Sequence, residues 1–439
     1  MYLLKRIARF LIIKINKIVY LGKKNFFMPL KRKIIYLVTM LYPKLQPYFC
    51  HPYIEPNPNI KHLFLDISTI VRNDLKTGVQ RVVRSLLSEL MQHPIEGYIV
   101  KPVYCTETDT GFYYAHYYID KNLRLKNNLE DTQIDIRPND IFLGLDFNLA
   151  MLPKQLEELN RIKQQGVKIF FIVYDLLPAL KPKMFKPIVK DLFTIWLEVI
   201  LKFDGVICIS KAVHDELKLW IKNNNFAIPK NLSFAWFHLG ADIENSLPTR
   251  GLPDGSMELI NFFKANKSFI SVSTIEPRKG YAQLLAAFNL LWQQNVDVIL
   301  IIVGKKGWLV DSLVKDIAQH PLLNHKLFWL RNVSDEYLTK LYAAATCLIA
   351  PSEGEGFGLS LIEAAKYNLP IIARKLPVFM EVAQDKAFYF TGLKAEDLAV
   401  AVNSWLQLYA LNSHPSTSNM RWLTWKDSAD KLKEALLID

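Results

Sequence analysis

From His62 onward the chain alternates short, almost unbroken apolar runs with longer amphipathic stretches, and this alternation limits the fold more than any other feature of the 439 residues. His62 to Ile67, Ile141 to Leu145, Val167 to Leu176 and Gly205 to Ile209 read as strands. Gly78 to Met91 reads as a helix, with Val79, Val82, Val83, Leu86, Leu87 and Leu90 at helical spacing. Leu152 to Gln165 and Lys211 to Asn223 are further helices. Strands that are apolar throughout must be covered on both faces, so the sheet is parallel and sandwiched by helices.

Asn245 to Ser256 breaks the pattern with Pro, Gly and polar residues and marks a domain boundary. The alternation then restarts. Strands are expected over Phe269 to Ile275, Val298 to Val303, Leu327 to Leu330, Cys347 to Ala350 and Pro370 to Ala373. Helices are expected over Tyr281 to Gln294, Asp335 to Ala345 and Leu359 to Tyr367. The fold class is therefore α/β, with two doubly wound domains. In such sheets ligands bind beyond the carboxyl ends of the strands, which singles out the loops after Ile275, Val303 and Ala350.

Charge is distributed unevenly. No acidic residue precedes Glu55, whereas Lys5, Arg6, Arg9, Lys14, Lys17, Lys23, Lys24, Lys31, Arg32, Lys33 and Lys44 do. Of the 54 Lys and Arg, 43 remain for the rest of the chain against 42 Asp and Glu, so the body is nearly neutral. That balance argues against a nucleic-acid-binding protein, whose cations would spread over a folded face. The apolar runs between the early cations, such as Phe10 to Ile13 and Ile34 to Leu41, are far short of the roughly 20 residues of a spanning helix. They also lack a secretory cleavage pattern. Basic and bulky apolar residues interleaved in this way suit an anionic cytoplasmic leaflet. The alternative, a solvated basic arm, gives the Ile, Leu, Phe and Tyr content no purpose. Cys50, Cys105, Cys208 and Cys347 lie too far apart for a CxxC clip and suit a reducing cytoplasm.

Chemistry concentrates in two loops. Pro351 to Glu363 reads PSEGEGFGLSLIE, follows a buried strand and opens a helix, so free backbone amides and the positive helix end face the cleft. Glycines 354, 356 and 358 permit close approach, and Glu355 and Glu363 place two carboxylates beside a bound ligand. Opposite, Ser273 to Gly280 reads STIEPRKG, where Arg278 and Lys279 stand just before a helix whose dipole opposes them; an anionic ligand relieves that conflict.

On these residues the chain resembles family 4 of the retaining, nucleotide-sugar-dependent glycosyltransferases. Glu355 and Glu363 match the family's E-x7-E motif within a GEGFGL context. Support comes from Asp66-Ile-Ser, Thr77-Gly-Val-Gln-Arg-Val-Val-Arg84, Tyr174-Asp-Leu-Leu-Pro178, Cys208-Ile-Ser-Lys-Ala212, Gly240-Ala-Asp242, Gly304-Lys-Lys-Gly-Trp308 and Leu376-Pro-Val-Phe-Met-Glu-Val382. The resemblance covers about residues 60 to 439 and leans toward bacterial O-antigen, capsule and exopolysaccharide enzymes of the mannosyltransferase type.

The resemblance implies the GT-B fold, two Rossmann-like domains facing a cleft. The implied organisation is a basic membrane-association extension (1–58), an acceptor-side domain (59–245), a linker (246–265), a donor-binding domain (266–415) and a C-terminal helix packing back on the first domain (416–439). It also implies roles. Lys279 and Arg278 neutralise the leaving diphosphate, helped by backbone amides around Gly356, Phe357, Gly358 and Leu359. Glu363 accepts from the donor ribose, and Glu355 lies against the donor sugar as nucleophile or as electrostatic support. Thr77 and Gly78 approach the diphosphate or acceptor, Asp175 faces the acceptor, and Thr274 and Gly304 line the donor site. Ser210 caps a helix.

Five positions depart from the family pattern. Ser273 and Thr274 stand in place of a frequent Gly-Arg pair, Tyr174 in place of His, Ser360 in place of Pro and Lys375 in place of Asp. Arg278 then has to supply the cation missing at Thr274. No Asp-x-Asp triplet occurs, and His214, within helix Lys211 to Asn223, and His238, on an apolar strand, read as structural, so neither a cofactor nor a metal is expected. The implied partners are a nucleotide sugar, a lipid-linked saccharide and, through residues 1–54, an anionic membrane on the cytoplasmic side. An inactive scaffold of a polysaccharide assembly complex is the alternative to an enzyme.

Overall fold

A computed structural model describes residues 61–74, 77–123, 129–243 and 248–437, so the basic extension expected over 1–58 lies outside the described residues. The first sheet contains β1 Lys61–Asp66, β2 Tyr98–Tyr104, β3 Tyr113–Tyr114, β4 Ile141–Gly144, β5 Lys168–Val173, β6 Gly205–Cys208 and β7 Ser233–Trp236, in spatial order β3-β2-β1-β4-β5-β6-β7. Neighbours are parallel except β2 with β3. Phe142 and Phe171 are buried in one core and Leu143 and Ile172 in another, which is why strands β4 and β5 read as continuously apolar. Strands β2 and β7 are half-exposed, and Lys101 and Pro102 within β2 hide that strand from such a reading.

The second sheet contains β8 Ser268–Val272, β9 Ile299–Val303, β10 Leu327–Leu330, β11 Cys347–Ala350, β12 Ile371–Arg374 and β13 Phe388–Phe390, wholly parallel in the order β10-β9-β8-β11-β12-β13. Strand order reverses beside β1 and beside β8, and the crevices at those two points carry the site. The helices that bear on them are α1 Gly78–Gln92, α2 Lys211–Asn223, α3 Ser256–Ala265, α4 Tyr281–Gln293, α5 Asp335–Ala344, α6 Leu359–Lys366, α7 Pro377–Ala383 and α8 Trp425–Leu436.

Three expectations need correction. Residues 246–265 are not all linker: α3 starts after Gly255 and buries Ile260 and Phe263, the latter packed edge-on against Phe328 of β10 at 4.9 Å. This apolar face makes α3 part of the second domain. Strand β5 ends at Val173 rather than Leu176, since the chain leaves the sheet to enter the cleft at Tyr174. His238 follows β7 instead of lying on it, and its Nε2 sits 2.6 Å from Glu381 Oε1 of the other domain.

Helix α8 packs on α1. Ser428 Oγ donates to His238 O at 2.8 Å, and the Trp425 amide donates to Asp242 Oδ1 at 2.6 Å. Among the described residues no helix is long and apolar enough to cross a membrane.

Candidate active site

Glu276 to Gly280 forms a tight turn whose position is set by contact. Pro277–Lys279 is one 3₁₀ turn, closed by Gly280 at φ 72°. A Cβ on Gly280 would meet Pro351 O at 2.3 Å, so only glycine lets the turn lie against the loop after β11. The loop answers with a backbone bond from Glu353 N to Arg278 O at 2.7 Å. This contact delivers Lys279 Nζ to Glu355 Oε1 at 2.6 Å, with Ser352 Oγ donating to the same oxygen at 2.8 Å. Arg278 Nε donates to Glu276 Oε2 at 2.9 Å, and its Nη1 lies 3.5 Å from Glu355 Oε2.

Three acids and two cations therefore share one buried corner. Burial opposes ionisation of Glu355, yet Lys279 and Arg278 beside it hold its carboxyl below the usual range. Burial, then the neighbouring Arg278, pushes the Lys279 ammonium down against the pull of Glu355. Burial raises Asp175, with Arg278 opposing and Glu355 adding to the rise. In the first domain, burial and the Asp175 charge lift Glu216 of α2 to about 7. Both cations are already paired, Lys279 with Glu355 and Arg278 with Glu276.

The second glutamate has a separate set of partners. Glu363 lies on α6, where its Oε1 accepts from Arg81 Nη1 at 2.5 Å and its Oε2 from the Tyr342 hydroxyl at 2.9 Å. Arg81 belongs to α1 of the other domain and also donates through Nη2 to Asp335 Oδ1 at 2.6 Å. Asp335 in turn accepts from the amide and hydroxyl of Thr249, both at 2.8 Å. Burial raises the Glu363 carboxyl against the pull of Arg81 and the Tyr342 hydroxyl.

The domains touch directly around these carboxylates. A Cβ on Gly356 would fall 1.9 Å from Tyr174 O, and one on Gly354 2.5 Å from Leu177 Cδ2. The loop glycines thus admit the facing backbone as closely as they would admit a ligand. Ser210 caps α2 by accepting from Val213 N at 3.1 Å and also donates to Gly356 O at 2.8 Å, a role beyond the expected cap. Glu381 of α7 accepts from the Lys211 and Ala212 amides at the start of α2, at 2.8 and 2.7 Å. Trp308 Nε1 donates to Met184 O at 3.0 Å.

Of the other expected residues, Thr77 forms a capping box with Gln80 at the start of α1, while a Cβ on Gly78 would meet nothing within 4 Å. Gly78 therefore faces open space. Phe357 is buried and its ring packs on His238, leaving only its backbone for a ligand. Gly358, at φ 99°, starts α6 at Leu359. Gly304 uses both backbone groups, its amide to Leu330 O and its carbonyl from Trp329 Nε1, and Thr274 is half-buried nearby. Glu355, Lys279, Arg278, Asp175 and Gly356 are brought together; Glu363 pairs across the cleft with the helix that Thr77 and Gly78 open. Sequence reasoning gave no role to Arg81, Asp335, Tyr342, Glu276 or Glu381. Arg81, Glu276 and Glu381 lay within quoted segments, Arg81 three residues after Gly78, and that proximity was the signal they offered. Among the described residues no group of three or more His, Cys, Asp or Glu side chains could hold a metal ion.

Two doubly wound parallel sheets facing one another across a charged cleft define the GT-B class of fold. Residues 257–420, within the second domain, match the family Glycosyl transferases group 1. The chain is 42% identical over 381 residues to the serotype-specific mannosyltransferase WbdA of Escherichia coli, an alignment covering 86% of this chain and 46% of the relative. It spans about half the length of the curated relatives it first matches. The sucrose-phosphate synthase structure from Thermosynechococcus elongatus superposes with a TM-score of 0.60 at 15% identity, over 85% of this chain and 98% of that one. Anabaena Alr3699/HepE in complex with UDP-glucose gives 0.58 at 16%, over 85% and 99%. At these identities the two structures speak for the fold.

Proposed function

We propose that the chain is a retaining glycosyltransferase that moves a hexose from a nucleoside diphosphate sugar onto a lipid-linked or growing polysaccharide in bacterial surface polysaccharide synthesis. Mannose from GDP-mannose is the favoured donor, a choice supported by the 42% identity to a mannosyltransferase. The observation that carries the reading is the Lys279–Glu355 pair at the carboxyl edge of the second sheet, with Arg278 and the start of α6 beside it. Such a corner is built for a diphosphate: two cations and a helix end meet its charge, and Glu355 is left close to the sugar carbon that loses the leaving group. Glu363 takes the ribose hydroxyls, and Asp175 faces the acceptor.

As the glycosidic bond breaks, negative charge grows on the diphosphate and positive charge on the sugar. Lys279 and Arg278 stabilise the first and Glu355 the second, so preorganised charges supply most of the acceleration. In this reading the cations do the work that a divalent ion does elsewhere, and activity survives excess EDTA. The acceptor is met at the inner face of the cell membrane, where residues 1–54 bind anionic lipid.

The deciding experiment measures hydrolysis and transfer with GDP-mannose, GDP-fucose, UDP-glucose and dTDP-rhamnose, each with and without EDTA. Turnover of one donor with retention at the anomeric carbon is expected. Failure of all four to turn over or to bind would overturn the proposal.

A further inference from the structure

We propose that Arg81 is a competitor for the donor ribose: in the empty cleft its guanidinium occupies Glu363, and nucleotide binding exchanges it for the ribose hydroxyls. The inference rests on the reading of Glu363 as the ribose acceptor. Both Glu363 oxygens are engaged, Oε1 by Arg81 Nη1 and Oε2 by the Tyr342 hydroxyl, and the side chain is only 5% exposed. A ribose cannot reach this carboxylate while Arg81 covers it. Tyr342 lies on α5 of the same domain as Glu363, whereas Arg81 reaches over from α1 of the other domain, so Arg81 is the partner that an entering ribose displaces.

The exchange has a natural stopping point. Arg81 holds two carboxylates at once, Glu363 through Nη1 and Asp335 through Nη2. Asp335 is itself fixed by Thr249 at the domain connection. Nη1 can therefore release Glu363 while Nη2 stays on Asp335, and the partly buried guanidinium is never stripped of all its carboxylate partners. The ribose in turn gains hydrogen bonds to an ionised group, stronger than those to a neutral one. Donor affinity is then a difference between two interactions with the same carboxylate, so the 2′-hydroxyl is worth less to the wild-type chain than to one whose Glu363 is uncovered.

The test is calorimetric titration at pH 8 of GDP and UDP, each alongside its 2′-deoxy counterpart, into the full chain and into Arg81→Met and Arg81→Lys. In Arg81→Met the preference for the ribonucleotide over the deoxynucleotide should rise about fivefold or more, with tighter binding of the ribonucleotide itself. Arg81→Lys, a single ammonium that cannot span both carboxylates, should fall between; it keeps the buried charge and decides the matter if the Met variant does not fold. An unchanged ratio would overturn the exchange and leave the enzyme reading standing. Equal weakening of both nucleotides would instead make Arg81 a direct phosphate ligand. Absence of nucleoside diphosphate binding in all three chains would overturn both readings together.

Discussion

Arg81 and Glu363 stand 282 residues apart and on different domains, yet Nη1 and Oε1 meet at 2.5 Å. The contact closes the cleft at this point and leaves its charges neutralised from within the protein. The same holds a few residues away, where Lys279 neutralises Glu355. In each case a protein cation occupies a carboxylate of the E-x7-E motif.

In the proposed role of Glu363 as ribose acceptor, its replacement by Ala removes the group that tells ribose from deoxyribose. GDP and 2′-deoxy-GDP should then bind within about twofold of each other. Calorimetry reads this directly, and a retained preference for the ribonucleotide would move the ribose contact elsewhere.

Lys279→Ala should depress turnover rather than donor binding, because the charge on the diphosphate is largest as the bond breaks. A loss of about 10²–10³ in kcat is expected, the range for removing one preorganised stabiliser. Arg278→Ala should add to it. Near-wild-type kcat in the double variant would place the leaving group away from this corner.

Gly356→Ala tests domain closure. The new methyl would sit 1.9 Å from Tyr174 O, and because that carbonyl belongs to the other domain, the overlap is relieved by separation more easily than by unfolding. Small-angle scattering should show a larger radius of gyration, with transfer falling about tenfold or more from lost alignment. An unchanged radius of gyration with full activity would mean that this contact is not part of the working state.

Stability should fall as pH rises through the weakly acidic range. At the carboxyl edge of the first sheet, burial lifts Asp66 to about 6, against the Ser68 hydrogen bonds, and burial with the Asp66 charge lifts Asp146 to about 7. The folded chain thus keeps protons that the unfolded chain loses near pH 4, so the cost of ionisation is absent below that pH and complete above about 7. For Asp66 it amounts to about 3 kcal/mol. Asp66→Asn, which retains an oxygen for the Ser68 bonds, should lose less Tm between pH 5 and pH 8 than the wild type. An equal loss would show that these acids do not set the slope.

Residues 1–54 should bind anionic vesicles, and the binding should weaken with salt as the screening length falls from about 10 Å at 0.1 M to about 3 Å at 1 M. Charge reversal at Lys23, Lys24, Lys31, Arg32 and Lys33 should cost more binding at low salt than Ile12 and Ile13 to Ser, with the order reversed at high salt. Cosedimentation of a chain beginning at residue 55 supplies the control. Equal binding by that chain would shift the membrane contact to the folded body.

What the sequence determined by itself is what is encoded locally. Two parallel sheets follow from runs such as Ile299–Val303, apolar at every position because both faces are covered. The corner at Glu355 and Lys279 was legible because strand, glycine-rich loop and helix come in unbroken order, and chain direction alone puts their junction at the sheet edge. The half-exposed strand β2, which lies between β3 and β1, and the helix Ser256–Ala265 escaped, since partial exposure and a short helix after Gly255 leave weaker periodicity. The pairings across the cleft were decided only by the tertiary structure. Arg81 is one charged position on an amphipathic helix, Asp335 reads as an ordinary acid in a first helical turn, and Glu381 is one polar residue on a short helix. Their partners are chosen by how two separately built domains come to rest against each other, and that geometry leaves no periodic or local trace in the chain.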